Sequence, residues 1–241
     1  MRILITNDDG INAEGIRLLA EWARGLGEVT VVAPKVEQSG KSHAIQFVEP
    51  IEIKEVELIE GVKAYSMDST PADCVRFAVL GLKEKYDLLL SGVNRGFNLG
   101  KDIVYSGTAG AIFEGGRLGI PGIAFSTEPK TFEGARKYVD KAYRFIVDNG
   151  LFEKNPLYNV NIPNSHGNIR ITRQGGIYFF DEFKKLDGDM WEQTGYIIQE
   201  NEGNPEFDTD TVRDGFISIT PLVNGRTNMV VYEEIKGICE Q

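Results

Sequence analysis

The sequence predicts an α/β class: a doubly wound and mostly parallel sheet. Three observations predict it. Short apolar runs alternate with stretches of helical periodicity through about residue 175. The run DLLLS at 87–91 is apolar without alternation, as in a strand buried on both faces. Polar, glycine-bearing loops stand just after strand-like runs, where doubly wound sheets place their ligands.

Taken in order, RILIT (2–6) and EVTVVA (28–33) read as strands around an amphipathic helix. Ile16, Leu19, Ala20 and Ala23 recur there at helical spacing, so the two strands are parallel neighbours of a βαβ unit. Residues 44–66 alternate apolar and acidic side chains and predict short antiparallel strands with one wet face. Thr70-Pro71-Ala72-Asp73 starts a helix, with a hydroxyl cap, proline in the first turn and an acid beside it. After DLLLS comes a polar, glycine-rich loop over 92–107, then a helix over 108–118. PGIAFS (121–126) is a further short strand. Residues 132–147 form a helix carrying Tyr138, Ala142, Phe145 and Ile146, and LYNVNI (157–162) is a late strand of the same sheet. Residues 1–175 thus make the core. Residues 176–241 add a β-hairpin arm, the closing strand FISITPL with a proline stop, and a tail over 226–241 that fits no single element. That second part is not an independent domain.

Composition narrows the function classes. The 241 residues, 41% of them apolar, suffice for one large domain or one with an appendage. A net charge of −10, with no block of Lys or Arg, disfavours a nucleic-acid polymer as partner. A small anion stays admissible, because a bound divalent cation inverts the field locally. Cys74 and Cys239 are the only cysteines, which argues against a disulfide framework or a zinc cluster. The apolar runs fall short of the roughly 18 residues that span a membrane. Met1-Arg2 opens a strand rather than a leader, and cytoplasm is the expected location.

Three loops are expected on one sheet edge: Asn7-Asp8-Asp9-Gly10, the stretch 34–43 with Ser39-Gly40, and 91–108 with Asn94, Arg95 and Asn98. Adjacent carboxylates repel, so Asp8 and Asp9 need a reason. They reach one ion only if the chain turns, which Gly10 permits. With the Ser39 hydroxyl and the Asn94 amide oxygen they make an all-oxygen set suited to Mg²⁺ or Mn²⁺. The competing reading is a solvated turn ahead of a helix. Ser106, Gly107 and Thr108 open the next helix and offer N–H groups and hydroxyls to a phosphate; the competing reading is an ordinary helix cap. Cation site and phosphate cradle together point to phosphoryl hydrolysis.

With these motifs in view, NDDG (7–10), AP followed by SG (33–40), TPADCV (70–75), SGVNRGFN (91–98), YSGT (105–108), NVNIP (159–163) and DGFISITPL (214–222) stand in one order. In that order the chain resembles the SurE (survival protein E) family of metal-dependent 5′/3′-nucleotidases. The resemblance implies a nucleoside monophosphate phosphohydrolase with a Rossmann-like core and a C-terminal oligomerisation segment, and exopolyphosphatase activity as a further expectation. By the same resemblance Asp8, Asp9, Ser39 and Asn94 are metal ligands and Asn98, Ser106, Gly107 and Thr108 contact the phosphate. One of the two aspartates orients or deprotonates a metal-activated water. A covalent role for Asp8 as an aspartyl-phosphate, and a non-catalytic nucleotide sensor, are the alternatives. The chain departs from the family at Ser69, usually glycine, and at Ala109 and Ile112.

Other signals weigh less. Asp208-Thr209-Asp210-Thr211-Val212 matches the DxDx[TV] pattern of haloacid dehalogenase-type phosphatases, but no apolar strand precedes it, so it reads as a cap on a short helix. No G-x-S-x-G elbow is present. His43 is either a general acid or a surface histidine, and His166 is a solvated loop residue. Cys74 faces the core. Asn159 and Asn161 either reach the site or tie the end of the sheet, and Arg95 either meets substrate or is a plain surface arginine. Trp191, Tyr196, Ile197 and Ile198 on the arm call for burial in an oligomer contact, and the resemblance implies a dimer or tetramer.

Overall fold

The computed structural model describes residues 1–238; Cys239 lies outside the described residues. Strands β1 (Arg2–Thr6) and β2 (Glu28–Pro34) flank helix α1 (Glu14–Ala23), and pair in parallel from Arg2↔Glu28 to Ile5↔Val31. Strands β3 (Ile53–Glu55) and β4 (Lys63–Met67) are antiparallel to each other, with β4 parallel to β2. Helix α2 (Pro71–Arg76) follows and runs into a π-helical turn, Phe77–Gly81. Then come β5 (Leu88–Arg95), a 3₁₀ turn at Gly100–Tyr105, α3 (Gly107–Arg117) and β6 (Gly122–Thr127). Helices α4 (Glu133–Asp148) and α5 (Leu151–Lys154) lead to β7 (Leu157–Ile162) and β8 (Ile169–Ile171). The last elements of the described residues are β9 (Phe179–Lys185), β10 (Trp191–Ile197), α6 (Asp208–Arg213), β11 (Ile217–Leu222) and α7 (Met229–Ile235).

Among the described residues the main sheet runs β3-β4-β2-β1-β5-β6-β7-β11-β8, and β9–β10 form a separate hairpin. From β4 to β7 the strands are parallel; β3 and β11 run against their neighbours β4 and β7. Successive side chains of a strand take opposite faces. Ile3 and Ile5 therefore pack with α1 and α4 on one side, while Leu4 packs with α2 and α3 on the other. The chain leaves β1 towards β2 on one side and resumes at β5 on the other. The switch point, where ligands bind in such sheets, thus lies between the ends of β1 and β5.

Three expectations need correction. Residues 44–52 form no strand: Asp73 Oδ2 accepts the Gln46 N–H at 2.7 Å and the Thr70 hydroxyl donates to the Ala44 carbonyl at 2.7 Å. These side chains claim backbone groups a ladder would need, and leave Phe47 84% exposed. The supposed loop over 92–107 is largely ordered structure. A bulge between Ser91↔Ala124 and Asn94↔Ser126 carries β5 on to Arg95, with Gly92 at φ +128°. Strand β11 does not stop before Pro221, because β8 pairs only Ile217 to Ile219 and no ladder on that side needs a proline N–H.

The hairpin arm is as expected. Trp191 and Tyr196 are exposed along it, and the tail forms α7, which carries exposed Met229, Val230 and Ile235.

Candidate active site

The turn after β1 is closed by Asn7. Its amide donates to Gly10 O at 2.9 Å, and Gly10 N donates back to its Oδ1 at 3.2 Å, with Gly10 at φ +98°. That conformation favours glycine, so the bend expected at Gly10 is real. Gln38 N donates to Asp8 O at 2.7 Å, joining the first loop to the second; Ser42 N and Oγ bind Tyr105 O and Val104 O at 3.0 and 2.7 Å, joining the second to the third. All three loops thereby close on one cavity of about 160 Å³, lined among others by Asp8, Ser39, Asn94, Asn98, Asp102 and Ser106.

Asp8 is buried, and its Oδ1 accepts the Thr108 hydroxyl at 2.6 Å. Burial pushes its carboxyl up to about 6 against that hydrogen bond, with the Asp9 charge adding to the rise. Asp9 is also raised, by burial first and by Glu37. Among the described residues neither carboxylate has an ion-pair partner. Two desolvated neighbouring carboxylates with oxygen donors beside them, and no His or Cys, fit a hard divalent cation.

Asp9 stands just outside the cavity lining: its Oδ2 accepts the Arg95 N–H at 3.2 Å. The Ser39 hydroxyl lines the cavity but donates to Glu37 at 2.7 Å. The Asn94 amide nitrogen donates to Gly96 O at 2.8 Å, leaving its oxygen for a ligand. Ser106 caps α3 by accepting the Ala109 N–H at 3.0 Å, and its own hydroxyl proton remains available to the cavity. Gly107 and Thr108 do not line the cavity. A Cβ at Gly107 would come within 2.9 Å of the Asp8 side chain, so glycine is what lets α3 approach that carboxylate. The Thr108 hydroxyl is committed to Asp8, which makes it a holder of that carboxylate.

Asn98 is pinned from three directions. Its N–H donates to Asn161 Oδ1 at 2.9 Å, and its carbonyl accepts the Asn159 and Asn161 amides at 2.8 and 2.9 Å. Its own amide donates to Ser126 Oγ at 2.9 Å. The asparagines of β7 therefore tie the sheet end and hold the loop. Arg95 lines the cavity and is exposed.

His43 is neither free nor in this cavity. Its Nε2 lies 2.8 Å from Glu114 Oε2, and it lines an adjoining cavity of about 270 Å³ that shares Ser106. Burial alone would raise Glu114, but hydrogen bonds from His43, Arg117 and Arg76 bring it down to about 2. His166 sits in its loop with an edge against Phe216, and Cys74 is free and buried. Asp102 in the wall and Glu37 beside Ser39 carried no sequence signal. The Asn7 brace did carry one: asparagine ahead of Asp-Asp-Gly is a turn signature.

Fold and cavity together define a Rossmann-like α/β protein with a carboxylate-and-hydroxyl site at its switch point. The family model "Survival protein SurE" matches residues 3–180. A "5′-nucleotidase SurE" from Thermosipho melanesiensis is 39% identical over 95% of this chain and 93% of its own length. Another, from Clostridium botulinum strain Alaska E43, is 38% identical over the full length of both. The crystal structure of the SurE protein from Aquifex aeolicus superposes with a TM-score of 0.83 at 34% identity, covering both chains entirely. The chain belongs to the SurE family, a phosphatase family. Among the described residues no helix is long and apolar enough to cross a membrane.

Proposed function

We propose that the protein hydrolyses the phosphate monoester of nucleoside 5′- and 3′-monophosphates with the help of one divalent cation. The observation that carries this reading is the closure of three loops on one cavity at buried Asp8 and half-buried Asp9, neither of which has an ion-pair partner among the described residues. Asp8, Asp9, Ser39 and Asn94 would hold Mg²⁺ or Mn²⁺. When bound there, the ion supplies Lewis-acid neutralisation of phosphate charge and makes a water more acidic.

The chain's own groups supply the rest. The Ser106 hydroxyl donates to an equatorial phosphate oxygen, and the positive end of α3 favours the anion. Asn98, braced by β7, keeps its loop at hydrogen-bonding range of the same group. One of the two aspartates accepts the proton of the attacking water. Thr108 holds Asp8 in place throughout.

The test is release of inorganic phosphate from AMP and GMP with Mg²⁺ or Mn²⁺, stopped by a chelator. Asp8→Asn and Asp9→Asn should each abolish turnover while leaving the fold intact. Near-normal turnover in both would sink the site assignment. Tight nucleotide binding without phosphate release would make the protein a sensor. Polyphosphate belongs in the same panel.

The reading also includes self-association through the arm and α7, as a dimer or tetramer, supported by the exposed Trp191, Tyr196, Met229 and Val230. A monomeric mass by light scattering would refute it. A cytoplasmic location is part of the same reading, in keeping with the free, buried Cys74.

A further inference from the structure

The Asp208-Thr209-Asp210 motif, which resembles a phosphatase nucleophile and is not one, has a different task. We infer that Asp208 is a positioning residue for the candidate site, clamping the Gly100–Tyr105 turn that forms one wall of its cavity. This rests on the proposed phosphohydrolase reading.

Asp208 is fully buried at the start of α6. Both its carboxylate oxygens accept the Gly100 N–H, at 3.1 and 3.0 Å. Oδ1 also accepts the N–H groups of Gly175 and Thr209, each at 2.8 Å. Among the described residues no cation pairs with it, so these backbone donors satisfy it. Gly100 sits at φ +54°, where a Cβ would run into the Gly176 carbonyl.

Further bonds join the same two segments. Lys101 N donates to Gly176 O at 2.9 Å, and Gln174 Nε2 to Gly100 O at 3.1 Å. Asp102 Oδ2 accepts the N–H groups of Tyr178 and Phe179 at 2.8 and 2.7 Å. Asp102 and Tyr105 line the cavity, and the turn ends in the Ser106 cap. Asp208 itself does not line the cavity, so it acts through Gly100. The segment from Asn98 to Ser106 is thus pinned by β7 at one end and by Asp208 and 174–179 beyond it. Since 174–179 leads into the hairpin, the cavity wall and the root of the arm are one hydrogen-bonded unit.

Asp208→Asn turns an amide donor towards N–H donors and loosens the turn. The proposed metal ligands come from other segments, whereas Ser106 hangs on this one. The variant should raise KM for AMP and the inhibition constant of inorganic phosphate roughly tenfold. Its Mn²⁺ dissociation constant, by calorimetry, should stay within about twofold of wild type. A folded Asp208→Asn protein with unchanged KM and phosphate inhibition overturns the inference, whatever its melting temperature. If that variant does not fold, Gln174→Ala loosens the same turn more gently. It should raise KM about threefold, and an unchanged KM overturns the inference. A wild-type protein that binds phosphate but releases none from AMP overturns the functional reading alone. Calorimetric phosphate affinity of the variant then decides on the clamp. A wild type that binds no phosphate overturns both.

Discussion

Replacing Asp8 by Asn should kill turnover and yet stabilise the metal-free protein. Asp8 is buried, and its carboxyl sits at about 6 rather than 3.8. The folded state therefore holds the proton more tightly than the unfolded chain, and stability falls as pH rises from about 4 to above 6. The gap between 3.8 and about 6 corresponds to about 3 kcal/mol at neutral pH, an upper bound on what the substitution recovers. Asparagine keeps an oxygen for the Thr108 hydroxyl, so the fold loses little else. For a chain of this size that is roughly 6–12 °C in melting temperature. The assay is thermal denaturation in a chelator at several pH values, wild type against variant. The variant's advantage should be near zero below pH 4 and full above pH 7. Adding Mn²⁺ should raise the melting temperature of wild type far more than that of the variant. An advantage equal at pH 4 and pH 8, or a variant less stable than wild type at pH 8, refutes the reasoning.

Other substitutions probe the supports around that carboxylate. Thr108→Val removes the 2.6 Å hydrogen bond that favours ionised Asp8, and should weaken Mn²⁺ binding near pH 7 roughly tenfold in calorimetry. Asn161→Ala strands the Asn98 N–H, which should cost about 1–3 kcal/mol in urea denaturation and raise KM. Glu114→Ala leaves Arg76, Arg117 and His43 without their shared anion, a loss of about 3 kcal/mol. Because its folded carboxyl lies at about 2 against 4.5, the Glu114 contribution is present above pH 4.5 and fades as pH falls towards 2. Trp191→Asp on the arm should lower the solution mass measured by light scattering.

Much of the fold was legible locally. The βαβ opening, the Thr70 cap, the helix over 132–147, found at Glu133–Asp148, and the late strand LYNVNI follow from periodicity and capping chemistry alone. The errors share a cause. Residues 44–52 alternate like a strand, but Asp73 on α2 and its cap Thr70 bind their backbone groups, and those partners are remote in sequence. Gly92 looked like a loop signal, while in the sheet it forms the bulge that carries β5 on to Asn94.

The residue types of the candidate site, and the edge on which its loops meet, were legible in the order of residues. Strand ends and following loops are local properties, and parallel strands point those ends one way. Which group holds which was left to tertiary packing. Thr108 faces Asp8 rather than the cavity, Asp9 takes a strand N–H, and Ser39 turns to Glu37. It alone brought Asp208 back to Gly100, 108 positions away, because a buried carboxylate must find donors wherever packing delivers them.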